Sequence, residues 1–285
     1  MILVTGAGGL TGQTIITALV KKGIKVCALV RKESQSEKMI SIGAEKVVVG
    51  NMLDPCCLQS AMAGMDSVYF ICSTANPDEC TMGRMAIDAA EKAGIQHFIY
   101  HSVLHSILHE MPHHKQKNDV ENLLVNSKLA YTILQPTVLM QNLQMALEQV
   151  RLEGIWTQKF FTEKDTRLCM VDLNDVAEAA ARIVQERERH IGATYELCGP
   201  ENLRMNDIHR VLETRYHREI SVKYIPDEAI LNELRKFGAS EYRQDVMLKM
   251  FHHYNETNFL GSDFVLANLL GRKPHTLAEY LEQAG

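Results

Sequence analysis

No apolar run in the 285-residue chain reaches the ~18 residues of a membrane-spanning helix, so an integral helical membrane protein is not expected. No charged-then-apolar leader stands at the start either; Met1 leads straight into "ILVTG". The seven cysteines, at 27, 56, 57, 72, 80, 169 and 198, form no CxxC pair and no disulfide-framework spacing. An odd number of thiols with mostly apolar neighbours implies reduced cysteines and a cytoplasmic location. Excess charge of one sign is missing as well. The formal net charge is −5 and Lys and Arg are scattered, which argues against a basic nucleic-acid-binding face. No GxSxG elbow occurs, so acyl transfer by a serine has no support. Repeats, low-complexity segments and long linkers are also lacking.

What is present is an ordinary globular composition, 46% hydrophobic and 23% charged, with enough length for one large domain or two smaller ones. The 14 methionines are scattered and suit pliable packing. In the first half, short apolar runs alternate with helical patterns. "MILVT", "KVCALVR", "KVVVG", "DSVYFICS", "QHFIYHS" and "LAYTILQP" read as six strands. "LTGQTIITALVKKG", "ESQSEKMISIG" and "DECTMGRMAIDAAEKAG" read as helices, each closed by a glycine. Continuously apolar strands alternating with helices predict an α/β fold, a doubly wound parallel sheet covered on both faces. The expected division is a first domain over 1–150 and a smaller α+β lobe over 151–285, softly bounded. In that lobe "RLCMV", "ATYELCG" and "ISVKYIP" are strands and 174–187, 205–215 and 227–237 are helices, the strand and helix near 167–187 returning to the first domain.

"VTGAGGLTG" sets Gly6, Gly8, Gly9 and Gly12 between the first strand and the first helix. Glycine there permits a sharp turn, a close approach of backbone to a pyrophosphate, and tight helix–strand packing. The helix N-terminus adds free N–H groups and positive dipole. At the first βα junction of an α/β chain this reads as a dinucleotide site. The end of the second strand should then meet the ribose. It carries Arg31 and Lys32 rather than an acidic residue, which favours the 2′-phosphate of NADP(H) over NAD(H).

Histidines at 101, 105, 109 and 113 recur every four residues, the spacing of one helix face, and raise the question of a metal. Pro112 breaks the run before His113, so the four cannot share one helix. His105 and His109 are expected at most one turn apart on a short helix, and Glu110 is the only carboxylate in the run. No metal is therefore assigned. Asp172 and Asp175 read as a strand end and a helix-start cap. "FHHYNETNF", near 251–259, reads either as a cover for a substrate pocket or as lobe surface.

The motifs "TGAGGLTG", "ALVR", "VVGNMLD", "KNDVENLLVNSKLAYTILQPTVLMQNL", "CMVDLNDVAEAAARIV", "TYELCGPENL" and "LLGRKPHTLAEYL" together resemble the NmrA-like group of atypical short-chain dehydrogenases/reductases. The resemblance covers nearly the whole chain and implies a Rossmann domain with a C-terminal substrate lobe. It implies that Gly6, Gly9, Leu10, Thr11 and Gly12 hold the pyrophosphate and that Arg31 meets the 2′-phosphate with Lys32 beside it. Asn51 and Met52 would border the adenine, although the group often has Asp in place of Asn51. Cys72, Ser73 and Thr74 would line the cofactor cleft. Lys117 would sit near the nicotinamide ribose, Pro136 to Leu139, including Val138, beside the nicotinamide, and Asn142 with Leu139 near the substrate. Gln135 stands where the group commonly has arginine.

Typical members of the superfamily use a Tyr-x-x-x-Lys pair, in which the lysine lowers the tyrosine pKa. Here that spacing holds His113 and Lys117. His113 is read either as a replacement acid or as a partly exposed helix-start residue. Ser102, after the fifth strand, is read either as a binder of a carbonyl oxygen or as a strand-end cap. The resemblance implies an NADPH-dependent reductase acting on a small electrophile such as a quinone or conjugated carbonyl, with a homodimer as the expected assembly. The rival is an NADP(H)-sensing regulator that turns over little and acts through a protein partner.

Overall fold

A computed structural model of the protein describes residues 1–158 and 165–283. The chain runs β1 (Ile2–Val4), α1 (Leu10–Lys21), β2 (Val26–Val30), α2 (Ser36–Ser41), β3 (Lys46–Val49), α3 (Pro55–Met62), β4 (Ser67–Phe70), α4 (Glu79–Ala93), β5 (His97–His101), α5 (Pro112–Val125) and β6 (Tyr131–Pro136). It continues through β7 (Val138–Leu139), α6 (Gln144–Glu153), β8 (Ile155–Gln158), β9 (Arg167–Val171), α7 (Leu173–Gln185), β10 (Ala193–Leu197) and β11 (Asn202–Arg204). Last come α8 (Met205–Tyr216), β12 (Ser221–Tyr224), α9 (Asp227–Lys236), α10 (Glu241–Glu256), α11 (Phe264–Leu270) and α12 (Leu277–Gln283). Among the described residues no helix is long and apolar enough to cross a membrane.

The chain divides into two compact units. The first comprises Met1–His109, His113–Pro136 and Leu173–Glu196. Its seven-stranded sheet has the order β10-β6-β5-β4-β1-β2-β3. The neighbours from β3 to β6 are all parallel. Buried on both faces, β1, β2, β4 and β5 consist of buried residues, which is why their sequences are largely apolar without alternation, Ser67, His97 and His101 excepted. From β1 the chain winds outward through β2 to β3, then returns to place β4 on the other side of β1. That reversal creates the switch point at the carboxyl ends of β1 and β4, where ligands of such sheets lie. Ala193–Leu197, expected in the second lobe, is instead the sheet's edge strand. α7 packs on α1, with Val176, Ala177, Ala180 and Ile183 buried at helical spacing.

The second unit comprises Glu110–Pro112, Thr137–Asp172 and Leu197–Gly285. It holds the small sheet β11-β9-β7 and the pair β12-β8, so Arg167–Val171, expected to return to the first domain with the helix that follows, pairs in the second unit instead. Phe259 bonds to β9, its carbonyl accepting from Cys169 N at 2.8 Å, and its ring lies 5.1 Å from that of Tyr254. Phe251, Tyr254 and Phe259 are buried and supply core to this unit, while His252, Glu256, Thr257 and Asn258 are exposed, so the 251–259 stretch is part core and part lobe surface.

Helix α3 has a local cause that the apolar pattern leaves out. Asp54 caps it, its carboxylate accepting from Cys56 N at 2.9 Å, and Pro55 occupies the first position, where a missing N–H costs nothing. Leu58, Ala61 and Met62 then face the core. Asp54→Ala is expected to lower unfolding free energy by about 1 kcal/mol, the usual worth of such a cap, read as an earlier urea midpoint. An unchanged midpoint would contradict the capping role.

Candidate functional site

The candidate site lies at the carboxyl ends of β1, β2, β4 and β5 in the first unit. Gly6 leaves β1 at φ +58°, a left-handed conformation that L side chains rarely adopt. Gly9 caps α1, its N–H donating to Gly6 O at 3.1 Å and its carbonyl accepting from Gln13 N at 3.0 Å. A Cβ on Gly12 would stand 2.5 Å from Gly6 O and 2.7 Å from the Ala7 Cα. Only glycine lets α1 seat this closely on the turn. The first-turn amides of Leu10, Thr11 and Gly12 have no acceptor within the helix and point out of its N-terminus. Leu10 is exposed and Thr11 half-buried, so a ligand can reach this end of the helix.

Arg31 and Lys32 follow β2 and are exposed. Gln35, which no sequence motif singles out, holds them there. Its Oε1 accepts from both Arg31 N and Lys32 N at 3.1 Å, and its amide nitrogen reaches within 2.1 Å of where a Cβ of Gly8 would be. The basic turn and the glycine loop are thus joined through one side chain. After β3, Asn51 is exposed and turns on itself, its Oδ1 accepting from Leu53 N at 3.0 Å, while Met52 packs on the core. After β4, Ser73 and Thr74 are exposed but Cys72 is buried. Burial, reinforced by the Glu79 carboxylate, pushes the Cys72 thiol up to about 12, so it is inert as a nucleophile.

Lys117 and His113 lie one turn apart on α5, as the spacing requires. Both are buried. Lys117 Nζ donates to Glu79 Oε1 at 2.6 Å and to His101 O at 3.3 Å, and it lies 5.5 Å from the Tyr100 ring centre. Two of its three N–H donors are engaged. The Tyr100 hydroxyl donates to the same Glu79 oxygen at 3.0 Å. His113 is not the partly exposed residue expected of a helix start. Burial, with His114 and Lys117 nearby, drives it down to about 3, so its ring is neutral near pH 7 and is no matched proton donor. His101, which meets the Tyr69 hydroxyl at 3.0 Å, is driven to about 3 by burial and then by Lys117. His105 and His109 lie in turns, not on a short helix; His105 has φ +54°.

Ser102 is neither an open carbonyl binder nor a strand cap. It is buried and donates to Glu121 Oε1. Ser106 donates to the other Glu121 oxygen at 2.8 Å, and Gln135 Nε2 donates to Oε1 at 2.9 Å. Gln135, the departure noted before Pro136, is thereby a partner of a buried carboxylate. Pro136 ends β6 and is buried in the first unit. Val138 and Leu139, in β7, and Asn142, exposed on the turn that follows, belong to the second unit. There Asp172 is buried, accepting from Gln141 Nε2 at 2.7 Å.

With this geometry in view, the NmrA-like family model matches residues 1–281. The NAD(P)H azoreductase of Xenophilus azovorans is 24% identical over 281 residues, 98% of this chain and 96% of that protein. The structure of the NADPH-dependent quinone oxidoreductase of Escherichia coli in complex with NADPH superposes with TM-score 0.84 at 23% identity, covering 99% of each chain. NmrA, a negative transcriptional regulator solved in complex with NADP, superposes with TM-score 0.78 at 18% identity over 99% of this chain and 94% of that one. At these identities the structural likenesses establish the fold.

The depressed His101 and His113 values carry a sign. In the unfolded chain histidine titrates near ~6.5, so between that value and about 3 the unfolded state binds protons that these two rings refuse. Their contribution to stability is complete above ~6.5 and is lost as pH falls through that window. NMR titration of the histidine ring protons should show both rings neutral at about pH 5; a midpoint near 6.5 for either would contradict the assignment.

Proposed function

Since the chain belongs to the NmrA-like family, we propose that it is an NAD(P)H-dependent reductase, using NADPH in preference to NADH and passing hydride to a quinone or another conjugated carbonyl. The observation that carries this reading is the glycine loop at the switch point. The first-turn amides of α1, presented by a helix seated so closely on the turn that Gly12 has no room for a Cβ, fit a pyrophosphate. Arg31, exposed and with its backbone N–H held by Gln35, fits a 2′-phosphate, for which its planar donors are suited. Lys117 retains one N–H donor for a ribose hydroxyl. When bound, the cofactor supplies the hydride; the chain supplies orientation and charge.

The proton inventory of the site favours a quinone-like acceptor. His113 is neutral and buried, Ser102 is committed to Glu121, and no tyrosine precedes Lys117 by four residues. An alkoxide produced from a simple ketone would need a protein acid. A quinone that receives hydride becomes a hydroquinone anion, which is stable enough to take its proton from water. The names of the azoreductase and the quinone oxidoreductase relatives agree with an extended conjugated acceptor. The second reading, a dinucleotide sensor, is supported by the lack of a matched proton donor and by the likeness to a regulator that binds NADP.

NADPH mixed with a panel of quinones, enones and aldehydes should be oxidised fastest by quinones, and Lys117→Ala should cut turnover by roughly 10-fold or more. Tight NADPH binding without oxidation by any acceptor would transfer the assignment to the sensor. Arg31→Ala should weaken NADPH by roughly 10-fold or more and leave NADH within about 2-fold, the expected worth of a charge-assisted phosphate contact. Equal losses for both cofactors would refute the role given to Arg31.

A further inference from the structure

We propose that Glu79 is a positioning residue of the cofactor site, the counter-charge that keeps the Lys117 ammonium protonated and aimed at the ribose. The proposal rests on the reading of Lys117 as a cofactor-binding residue.

The two side chains come from different elements. Glu79 is in the first turn of α4 and Lys117 near the start of α5. Gly83, one turn beyond Glu79, lies directly beneath Val120, where a Cβ would meet the valine methyl at 2.6 Å. Val120 is three residues beyond Lys117, so this close crossing brings Glu79 and Lys117 face to face. Their side chains are 1% and 8% exposed, and Nζ stands 2.6 Å from Oε1. A buried ammonium sheds its proton unless an anion stands beside it.

The tyrosine, histidine and cysteine side chains around Nζ are held neutral. On β5, burial raises the Tyr100 phenol well above its ordinary range and lowers His101 to about 3. After β4, Cys72 remains a thiol. On α5 itself His113 is neutral. Of the acidic groups, Asp78 precedes α4 and Glu121 is occupied by Ser102, Ser106 and Gln135; among the described residues Nζ bonds to Glu79 and to neither of these. Glu79 is therefore the anion that pairs with Lys117. It also ties the lysine to the cleft-lining segment after β4: Glu79 N donates to Asn76 O at 3.3 Å, and Asn76 Nδ2 donates to Ser73 Oγ at 3.2 Å. The second Glu79 oxygen is buried without a hydrogen-bond partner among the described residues, so the carboxylate is held here by Lys117 and Tyr100 alone.

The test is NADPH affinity as a function of pH, by fluorescence titration between about pH 6 and 9, with amine-specific labelling of Lys117 read by mass spectrometry. Glu79→Gln keeps the size and the acceptor for Tyr100 but removes the charge. The wild-type affinity should be flat across the range. The variant should lie within about 3-fold of it at the acidic end and fall by roughly 10-fold or more at the alkaline end, while Lys117 labels faster. Glu79→Asp, which restores the charge on a shorter arm, should bind more weakly with a flat profile. A Glu79→Gln profile parallel to the wild type, with unchanged labelling, would overturn the proposal. If Glu79→Gln does not fold, Glu79→Asp decides, and affinity equal to the wild type overturns it. Failure of the wild type to bind NADPH at any pH would instead overturn the cofactor reading, and the labelling rates would still decide whether Glu79 holds the Lys117 charge.

Discussion

The closest approach of a glycine to main-chain atoms in the first unit is the contact between α1 and the turn that precedes it. At Gly12 the helix backbone lies so near Gly6 and Ala7 that one methyl group would have to displace main-chain atoms, which cannot yield as a flexible side chain can. Much depends on that seat. β1 is flanked by β2 and β4, and the sheet winds outward from it in both directions. α1, pressed against the turn, carries α7 on its side. The same closeness leaves the helix N-terminus open at the end of β1 with its amides unspent. The close seat of α1 on the Gly6–Ala7 turn thus sets both the packing and the position of the helix N-terminus.

A second layer of the site is polar and buried. Lys117, Glu79 and Tyr100 form one cluster; Ser102, Ser106, Gln135 and Glu121 form another, and the two carboxylates are drawn in from α4 and α5. Buried charge is a poor source of stability, because desolvation offsets the attraction. A chain that needed only a solid core would do as well with apolar side chains there. Charge kept at the strand ends beside the glycine loop is better explained by what it does for a ligand than by what it does for the fold.

Much of this was legible in the sequence where the cause is local. The unbroken apolar strands, the glycine-rich first turn, the basic turn after β2 and the four-residue step from His113 to Lys117 each follow from neighbouring residues, and each is found in place. α3 escaped because eight residues with only three buried positions give a faint periodicity, although Asp54 and Pro55 mark its start. Glu79 escaped for a different reason. It looks like any acidic residue at a helix start, and its partner lies 38 residues away in the chain. Burial was equally hidden: nothing beside His113 announces that α5 will press it into the interior, and the aromatics at 251–259 look like surface until β9 is placed beside them. Edge strand β10 reads from sequence as part of the second lobe, because its pairing with β6 is a tertiary choice that no local pattern encodes.

The central claim is that the first βα turn and Lys117 hold the two ends of one dinucleotide. A crystal structure of the protein with NADPH tests it most directly. The pyrophosphate should lie on the amides of Leu10 to Gly12, the 2′-phosphate at Arg31, and Lys117 Nζ within hydrogen-bonding reach of the nicotinamide ribose while still paired with Glu79. A dinucleotide seated elsewhere, or one bound at the glycine loop with Lys117 turned away from the ribose, would contradict it.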